Sequence, residues 1–447
     1  MRFVIHRGAK EIGGSCVEVQ SGKSRILIDL GLPLVDPKDS SKKLEVNLRR
    51  ESPARLRERG ILPPIRGVWK DLHDGPAVDA ILLSHPHQDH HGLLSLVRPD
   101  IPVYLSADAL RILRRSDAFI KPGANIHNAQ FLNHRRAKIV ERTPFVVTPF
   151  AMDHSAFGAL AFVVEADGKR LFYSGDFRGH GRKAALFEEL CSKPPRAIDR
   201  LLIEGTTLGS ASHEERTEEK LEEDLKALYS RYSGLKLVSV SGQNVDRMVT
   251  LYKSCKDSGR TFVLDLYTAT ILEGTKRSSI PHPGPDWHDK RALRVIYTPK
   301  YEDILRQHPA YHEVLELAEP FRIEKDEIAK DPGRHVMVFR DSLLDDYTAL
   351  GDWGKGVLIY SQWSGYRKDP GFAKVDAVLK RRGMDIKPCH TSGHASKAQL
   401  KRLVQALKPK ILSPMHTFHA ELARELWRNV ELLEDGRSYE VWGGKMR

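Results

Sequence analysis

The segment Ser84-His85-Pro86-His87-Gln88-Asp89-His90-His91-Gly92 packs five metal-capable side chains into seven positions. It follows the apolar run Val78 to Ser84, which reads as a buried strand, and it runs into an apolar helix start. Ligands converge readily on a loop at the C-terminal end of a strand. His85 and His87 stand two apart in extended chain, so both point the same way. Asp89 and His90 lie where the chain turns and can face a second ion. Imidazole combined with carboxylate suits zinc, with manganese or iron as alternatives.

One loop cannot fill two coordination spheres, so further ligands are expected at other strand ends. Asp153-His154-Ser155 follows the strand-like Phe145 to Pro149. Ser174-Gly175-Asp176-Phe177 follows Leu171-Phe172-Tyr173, and His416 follows Ile411-Leu412.

The remaining composition narrows the class. The chain has 447 residues, 71 Lys+Arg and a net charge of +12, which suits a polyanionic partner such as nucleic acid. Cys16, Cys191, Cys255 and Cys389 are far apart and form no C-x-x-C, so neither a disulfide framework nor a cysteine zinc site is expected. No apolar run approaches the ~18–20 residues of a membrane helix, so no membrane association is expected. Met1 to Gly14 has no secretory pattern, and the expected location is the cytoplasm.

Along the chain, Phe3 to Ile5, Ser15 to Val19 and Arg25 to Asp29 read as strands broken by glycine turns. Residues 32–75 are polar and basic and read as a long surface excursion with one helix. Near residue 210 the texture changes. His213 to Tyr229 reads as an amphipathic helix with Leu221, Leu225 and Leu228 on one stripe. Leu235 to Val240, a helix from Val245, Thr261 to Leu266 and Val336 to Phe339 then alternate as in a small parallel α/β unit. A strand near Gly354 to Tyr360 and helices over Phe372 to Arg382 and Lys397 to Leu407 follow. There are no repeats.

The H-x-H-x-D-H cluster, Asp153-His154, Tyr173-Ser174-Gly175-Asp176 and the early Ile28-Asp29-Leu30-Gly31 turn together resemble the metallo-β-lactamase superfamily. Three later motifs resemble its β-CASP nucleases, most of all the ribonuclease J group. They are Leu202-Ile203-Glu204-Gly205-Thr206-Thr207 (motif A), His390-Thr391-Ser392-Gly393-His394-Ala395-Ser396 (motif B) and Pro414-Met415-His416 (motif C).

The resemblance implies an α/β fold: a metallo-β-lactamase αββα sandwich with an inserted β-CASP α/β domain. The expected boundaries are 1–208 for the first part of the sandwich, 209–365 for the insertion and 366–447 for the return. It also implies ligand roles. His85, His87 and His154 hold one ion, Asp89, His90 and His416 hold the other, and Asp176 bridges them. Asp89 and Asp176 also count as catalytic, together with His394 as general acid and Glu204 as the carboxylate that keeps it protonated. His390, Ser392, Gly393 and Ser396, at the start of the Lys397 helix, are expected to bind a substrate phosphate. His91, His180 and His419 are surplus to the ligand count.

The implied reaction is two-metal hydrolysis of a phosphodiester. RNA is favoured over DNA because of His416, with endonucleolytic and 5′-exonucleolytic modes both open. A DNA nuclease, or a small-molecule ester or thioester hydrolase, is the alternative. Ser241 to Arg247, Asp265, Tyr267 and the Trp363-Ser364-Gly365-Tyr366 turn are weaker candidates for lining a substrate cleft, the aromatic ones by stacking on bases. Three features depart from ribonuclease J. The 32–75 stretch is longer and more basic, Val338 to Leu343 replaces a Gly-rich turn, and little chain follows His416. Homodimer formation is therefore left open.

Overall fold

The computed structural model describes residues 1–210, 216–368 and 370–442. Among these, two compact units are distinguished. The first comprises the described residues of Met1–Asp117, Lys121–Glu214 and Gly393–Arg447. The second comprises those of Ala118–Ile120 and Glu215–Ser392.

Two sheets build the first unit. One has the order Ser438–Glu440, Arg2–Arg7, Cys16–Ser21, Ser24–Ile28, Ala80–Leu82, Val103–Leu105, Ala129–Phe131. The other has the order Ile411–Met415, Arg200–Glu204, Lys169–Tyr173, Leu160–Ala166, Val146–Ala151, Lys138–Ile139. Alternation along the strands explains how they stack. Phe3, Ile5, Val17, Val19, Ile26 and Ile28 of the first sheet share one core with Val147, Phe162, Val164, Leu171 and Leu202 of the second.

The opposite faces are covered as well. Leu27, Ile81, Leu83 and Leu105 pack with Leu110 and Leu113 of the helix Ala107–Ser116. Val163, Phe172 and Leu201 pack with Phe187 and Leu190 of Ala184–Ser192 and with Leu400, Leu403 and Leu407 of Lys397–Leu407. Helix, sheet, sheet, helix is the resulting order, as the resemblance implied.

Residues 32–75 are more than a surface excursion. They do contain one α-helix, Pro53–Glu58, capped by Ser52, and a short hairpin, Val35–Asp36 with Asp39–Lys43. But Leu56, Ile61, Leu62, Ile65, Val68 and Trp69 are buried in the outer core of the first sheet. The basic residues between them point outward, with Arg57 on Asp74 at 2.7 Å and Arg59 on Glu51 at 2.6 Å. Apolar side chains scattered without helix or strand period hide from periodicity arguments.

The second unit is an all-parallel sheet in the order Arg322–Ile323, Leu293–Ile296, Thr261–Asp265, His335–Phe339, Lys236–Ser239, Val357–Tyr360, Asp385–Pro388. Its central strands are buried along their whole length, as expected where helices cover both faces. The helix placed at His213 to Tyr229 spans Glu218–Arg231 after the cap Thr217, and residues 213–215 lie outside the described residues. Tyr229, not Leu228, completes its buried stripe with Leu221 and Leu225, because four-residue steps stay on one face.

The expected return at 366 is displaced. The helix Pro370–Arg381 and the strand Asp385–Pro388 add one more parallel crossover to the second unit's sheet, and the first unit resumes at Gly393.

Candidate metal centre

Every predicted ligand lies in the first unit, at the end or just past the end of a strand. The strand Ala80–Leu82 leads to His85 and His87. The short helix Gln88–His91 carries Asp89 and His90. His154 follows Val146–Ala151, Asp176 follows Lys169–Tyr173, and His416 follows Ile411–Met415. His416 sits at φ 53°, in the left-handed region, with its N–H bonded to the Gly8 carbonyl at 2.6 Å.

The side chains gather into two groups. The ligand atoms of His85, His87 and His154 lie within 4.8 Å of one another, and so do those of Asp89, His90, Asp176 and His416. Asp176 Oδ2 stands 3.2 Å from His90 Nε2 and 3.8 Å from His85 Nε2, and so reaches toward both groups. His416 Nε2 is 3.3 Å from Asp89 Oδ2.

Two observations show that the donor set fits cations. His85 Nε2 and Asp176 Oδ1 are buried and have no hydrogen-bond partner, which a protein rarely leaves uncompensated. Further, His154 Nδ1 donates to the Gly393 carbonyl at 2.6 Å. The neutral ring then has a lone pair on Nε2, which faces His87 Nδ1 at 3.2 Å. Burial, and then the neighbouring imidazoles, hold His85 and His154 well below the usual histidine range, so they stay neutral. Neutral imidazoles and ionised carboxylates are the states that bind metal.

Charge on the other side is of opposite sign. Burial alone raises the Asp176 carboxyl, but the surrounding His416, His90 and His394 hold it well below the usual range. Burial likewise opposes protonation of His90, and Asp176 and Asp29 outweigh it.

Supporting groups that sequence reasoning did not single out fix these rings. Asp29, fully buried at φ 59°, accepts from the Ser84 N–H at 2.7 Å and from Tyr173 Oη at 2.6 Å, and pairs with His90 Nδ1 at 2.7 Å. Thr206 Oγ1 lies 3.0 Å from His416 Nδ1. Buried Asp153 accepts from the Gly181 N–H at 2.7 Å and faces Arg178 at 3.5 Å, which steadies the turn before His154. The available signal was the Ile28-Asp29-Leu30-Gly31 turn itself. Its buried acid cannot remain without partners.

Glu204 and His394 meet as expected. His394 Nδ1 is 3.1 Å from Glu204 Oε2 and 3.7 Å from Asp176 Oδ2. Burial lowers the His394 pKa, but Glu204 and Asp176 more than offset it and raise it to about 9. The N–H groups of Phe177 and Ala395 both bond Glu204 Oε1, at 3.0 and 3.3 Å.

The four residues proposed for phosphate divide between the units. His390 and Ser392 belong to the second, Gly393 and Ser396 to the first. Gly393 orients His154 through its carbonyl and packs so closely that an added Cβ would stand 2.7 Å from Ser155 Oγ. Ser396 caps the helix Lys397–Leu407 in a reciprocal box with Gln399. Of the surplus histidines, His91 is buried, with its pKa pushed down by burial to about 4. His180 faces Gln399 at 3.2 Å, and His419 is exposed beside Glu421.

Comparison with known proteins agrees with this architecture. A beta-lactamase superfamily domain matches residues 35–227, and a Zn-dependent metallo-hydrolase RNA specificity domain matches 381–429. Residues 35–227 thus carry a beta-lactamase superfamily domain, and the chain is similar to ribonucleases J over nearly its whole length. It is 22% identical to ribonuclease J 2 of Streptococcus pyogenes over 98% of this chain and 75% of that protein. It is 23% identical to ribonuclease J of Helicobacter pylori, covering 97% of this chain but only 60% of the relative. A crystal structure of a protein of unknown function from Enterococcus faecalis shares the fold, with a TM-score of 0.75 at 20% identity, over 98% of this chain and 99% of that one. Among the described residues, no helix is long and apolar enough to cross a membrane.

Proposed function

We propose that this chain is a metal-dependent ribonuclease that hydrolyses RNA phosphodiesters. The observation that carries this reading is the placement of His394, with Nδ1 3.1 Å from Glu204 and 3.7 Å from the Asp176 carboxylate that reaches toward both ligand groups. Hydrolysis of a phosphodiester expels an alkoxide that must gain a proton, and His394 is placed to supply it.

His85, His87 and His154 would hold one divalent ion and Asp89, His90 and His416 a second, with Asp176 shared. Zinc suits this set, with manganese the alternative. When bound, such ions acidify water and neutralise phosphate charge. The chain's own residues do the rest. Asp29, Thr206 and the Gly393 carbonyl hold three of the rings in the orientation that turns a lone pair inward. His394 keeps its proton at neutral pH and delivers it to the leaving oxygen. Glu204 is held by the Phe177 and Ala395 N–H groups, so it orients His394 and does not swing away.

Ser396 and the Gly393 backbone, both in the first unit, are assigned to a substrate phosphate. The reading draws support from the RNA specificity domain that matches across these residues, and from the ribonuclease J relatives. Both endonucleolytic and 5′-exonucleolytic cleavage are consistent with it.

The deciding experiment uses 5′-labelled RNA and matched single-stranded DNA with Zn²⁺ or Mn²⁺, beside an Asp89→Ala, His90→Ala variant. RNA cleavage by the parent and none by the variant is expected. A metal-loaded parent that cleaves neither polymer defeats the proposal.

A further inference from the structure

Most large apolar side chains are buried, yet Trp363 and Tyr366 are 64% and 46% exposed. Their rings touch, with centroids 5.4 Å apart and planes at 90°. Among the described residues, they are the one pair of exposed aromatic rings in contact. Exposed apolar groups that are held together mark contact sites more often than single ones do.

The loop is built to hold the indole in this position. It leaves the C-terminal end of Val357–Tyr360, a buried strand of the second unit's parallel sheet, where loops of such sheets collect ligands. The Ser361 N–H bonds the Ser239 carbonyl at 2.9 Å, Ser361 Oγ donates to the Cys389 carbonyl at 2.6 Å, and Gln362 Nε2 donates to Ser239 Oγ at 2.9 Å. The Tyr360 hydroxyl donates to the Trp363 carbonyl at 3.2 Å.

Gly365 lies directly under the indole. A Cβ there would meet Trp363 ring carbons at 2.2 Å, so the ring rests on bare backbone. One face of the indole is thus covered by its own loop, and much of the ring stays open. Orienting it costs little entropy on binding, because the fold has already done so. Arg367 follows immediately in a chain of net charge +12, which suits a partner carrying phosphates.

We propose that Trp363 and Tyr366 form a platform on which an unpaired base of single-stranded RNA stacks. Every base has a π-face, so the platform is tolerant of sequence and contributes affinity, not base choice. A duplex offers no free face, so the site discriminates for unpaired strands. The proposal rests on the ribonuclease reading above, and its test separates the two.

Binding of a hydrolysis-resistant phosphorothioate oligouridine to the metal-loaded full chain is measured by fluorescence anisotropy. Trp363→Ala is expected to weaken binding about 10-fold. Trp363→Phe, which keeps a π-face, retains most of the affinity, and a blunt RNA duplex is bound alike by all three proteins. The loss for Trp363→Ala is the same at low and high salt, because stacking releases no counterions.

If the parent binds the single strand and Trp363→Ala binds it equally well, the platform is overturned and the ribonuclease reading stands. A parent that binds no RNA overturns both. A changed sedimentation mass for Trp363→Ala with unchanged RNA affinity assigns the pair to a contact between copies of the chain, and overturns the platform as well.

Discussion

Nδ1 of His90 lies 2.7 Å from Oδ2 of Asp29, inside a pocket where both side chains are closed off from solvent. The carboxylate accepts a hydrogen bond from Nδ1–H, so Nε2 carries the lone pair once the ring gives up its second proton. Asp29 thereby sets both the tautomer and the orientation of a ligand it adjoins. Asp29→Asn keeps the shape and tolerates the left-handed backbone at φ 59°. It is expected to weaken metal affinity roughly 10- to 100-fold, read by chelator competition, with the circular dichroism spectrum unchanged.

His394 and Glu204 make a prediction about pH. A general acid works while protonated, so activity falls as pH rises through its pKa. Glu204 and Asp176 raise the His394 pKa to about 9. The alkaline limb of kcat/KM against pH should therefore move to lower pH in Glu204→Gln, where one raising charge is gone. His394→Ala should lower kcat by roughly 10²- to 10⁴-fold. An alkaline limb that stays in place in Glu204→Gln removes Glu204 from this role.

Close backbone approach makes Gly31 irreplaceable. A Cβ at Gly31 would stand 1.7 Å from the Asp89 carbonyl oxygen and 2.8 Å from the Ser15 backbone nitrogen. Gly31→Ala must push the ligand loop outward. It should lose ~1–3 kcal/mol of stability together with bound metal, measured by urea unfolding and elemental analysis of the purified variant.

Stability at acid pH depends on a carboxylate outside the centre. Glu18, on the strand Cys16–Ser21, is nearly buried. Burial raises its pKa, but His6 at 2.8 Å, Arg25 at 2.7 Å and Gln20 outweigh that and bring it down to about 2 from 4.5. A depressed folded pKa stabilises above the unfolded value and ceases to do so as pH falls through the folded one. Glu18 thus contributes about 3 kcal/mol at pH 7, lost progressively between about pH 5 and 2. Urea midpoints of the parent and Glu18→Gln should differ at pH 7 and converge toward pH 3.

Ser396 separates capping from substrate binding. Ser396→Ala should cost about 1 kcal/mol through the lost cap on Lys397–Leu407. If its hydroxyl also holds a phosphate, the same variant raises KM, and unchanged kinetics removes that role.

The candidate ligands could be proposed from the chain because most of them follow a short apolar strand, and strands announce themselves by pattern. His85, His154, Asp176 and His416 all obey this rule. The groups that orient them could not be found that way. Thr206 and Gly393 act through a single hydroxyl and a single carbonyl, which carry no periodic signature. Asp29 was visible only as a turn. Trp69 and Ile61 were hidden for another reason: they are buried by tertiary packing in a stretch whose arginines dominate its composition. The limit of the second unit was misplaced because Pro370–Arg381 and Asp385–Pro388, beyond the expected boundary, have the same helix-then-strand texture as the chain before it.

The pairing of Arg200–Glu204 with Ile411–Met415 sets an order of events during synthesis. Asp89 leaves the ribosome 327 residues ahead of His416, which must join it. Until then the strand Arg200–Glu204 has a bare edge, and Glu204 faces no His394. A nascent chain can thus complete the second unit while still lacking two of the residues assigned to cleavage. The centre therefore stays incomplete until Ile411–Met415 has been made and has paired with that edge.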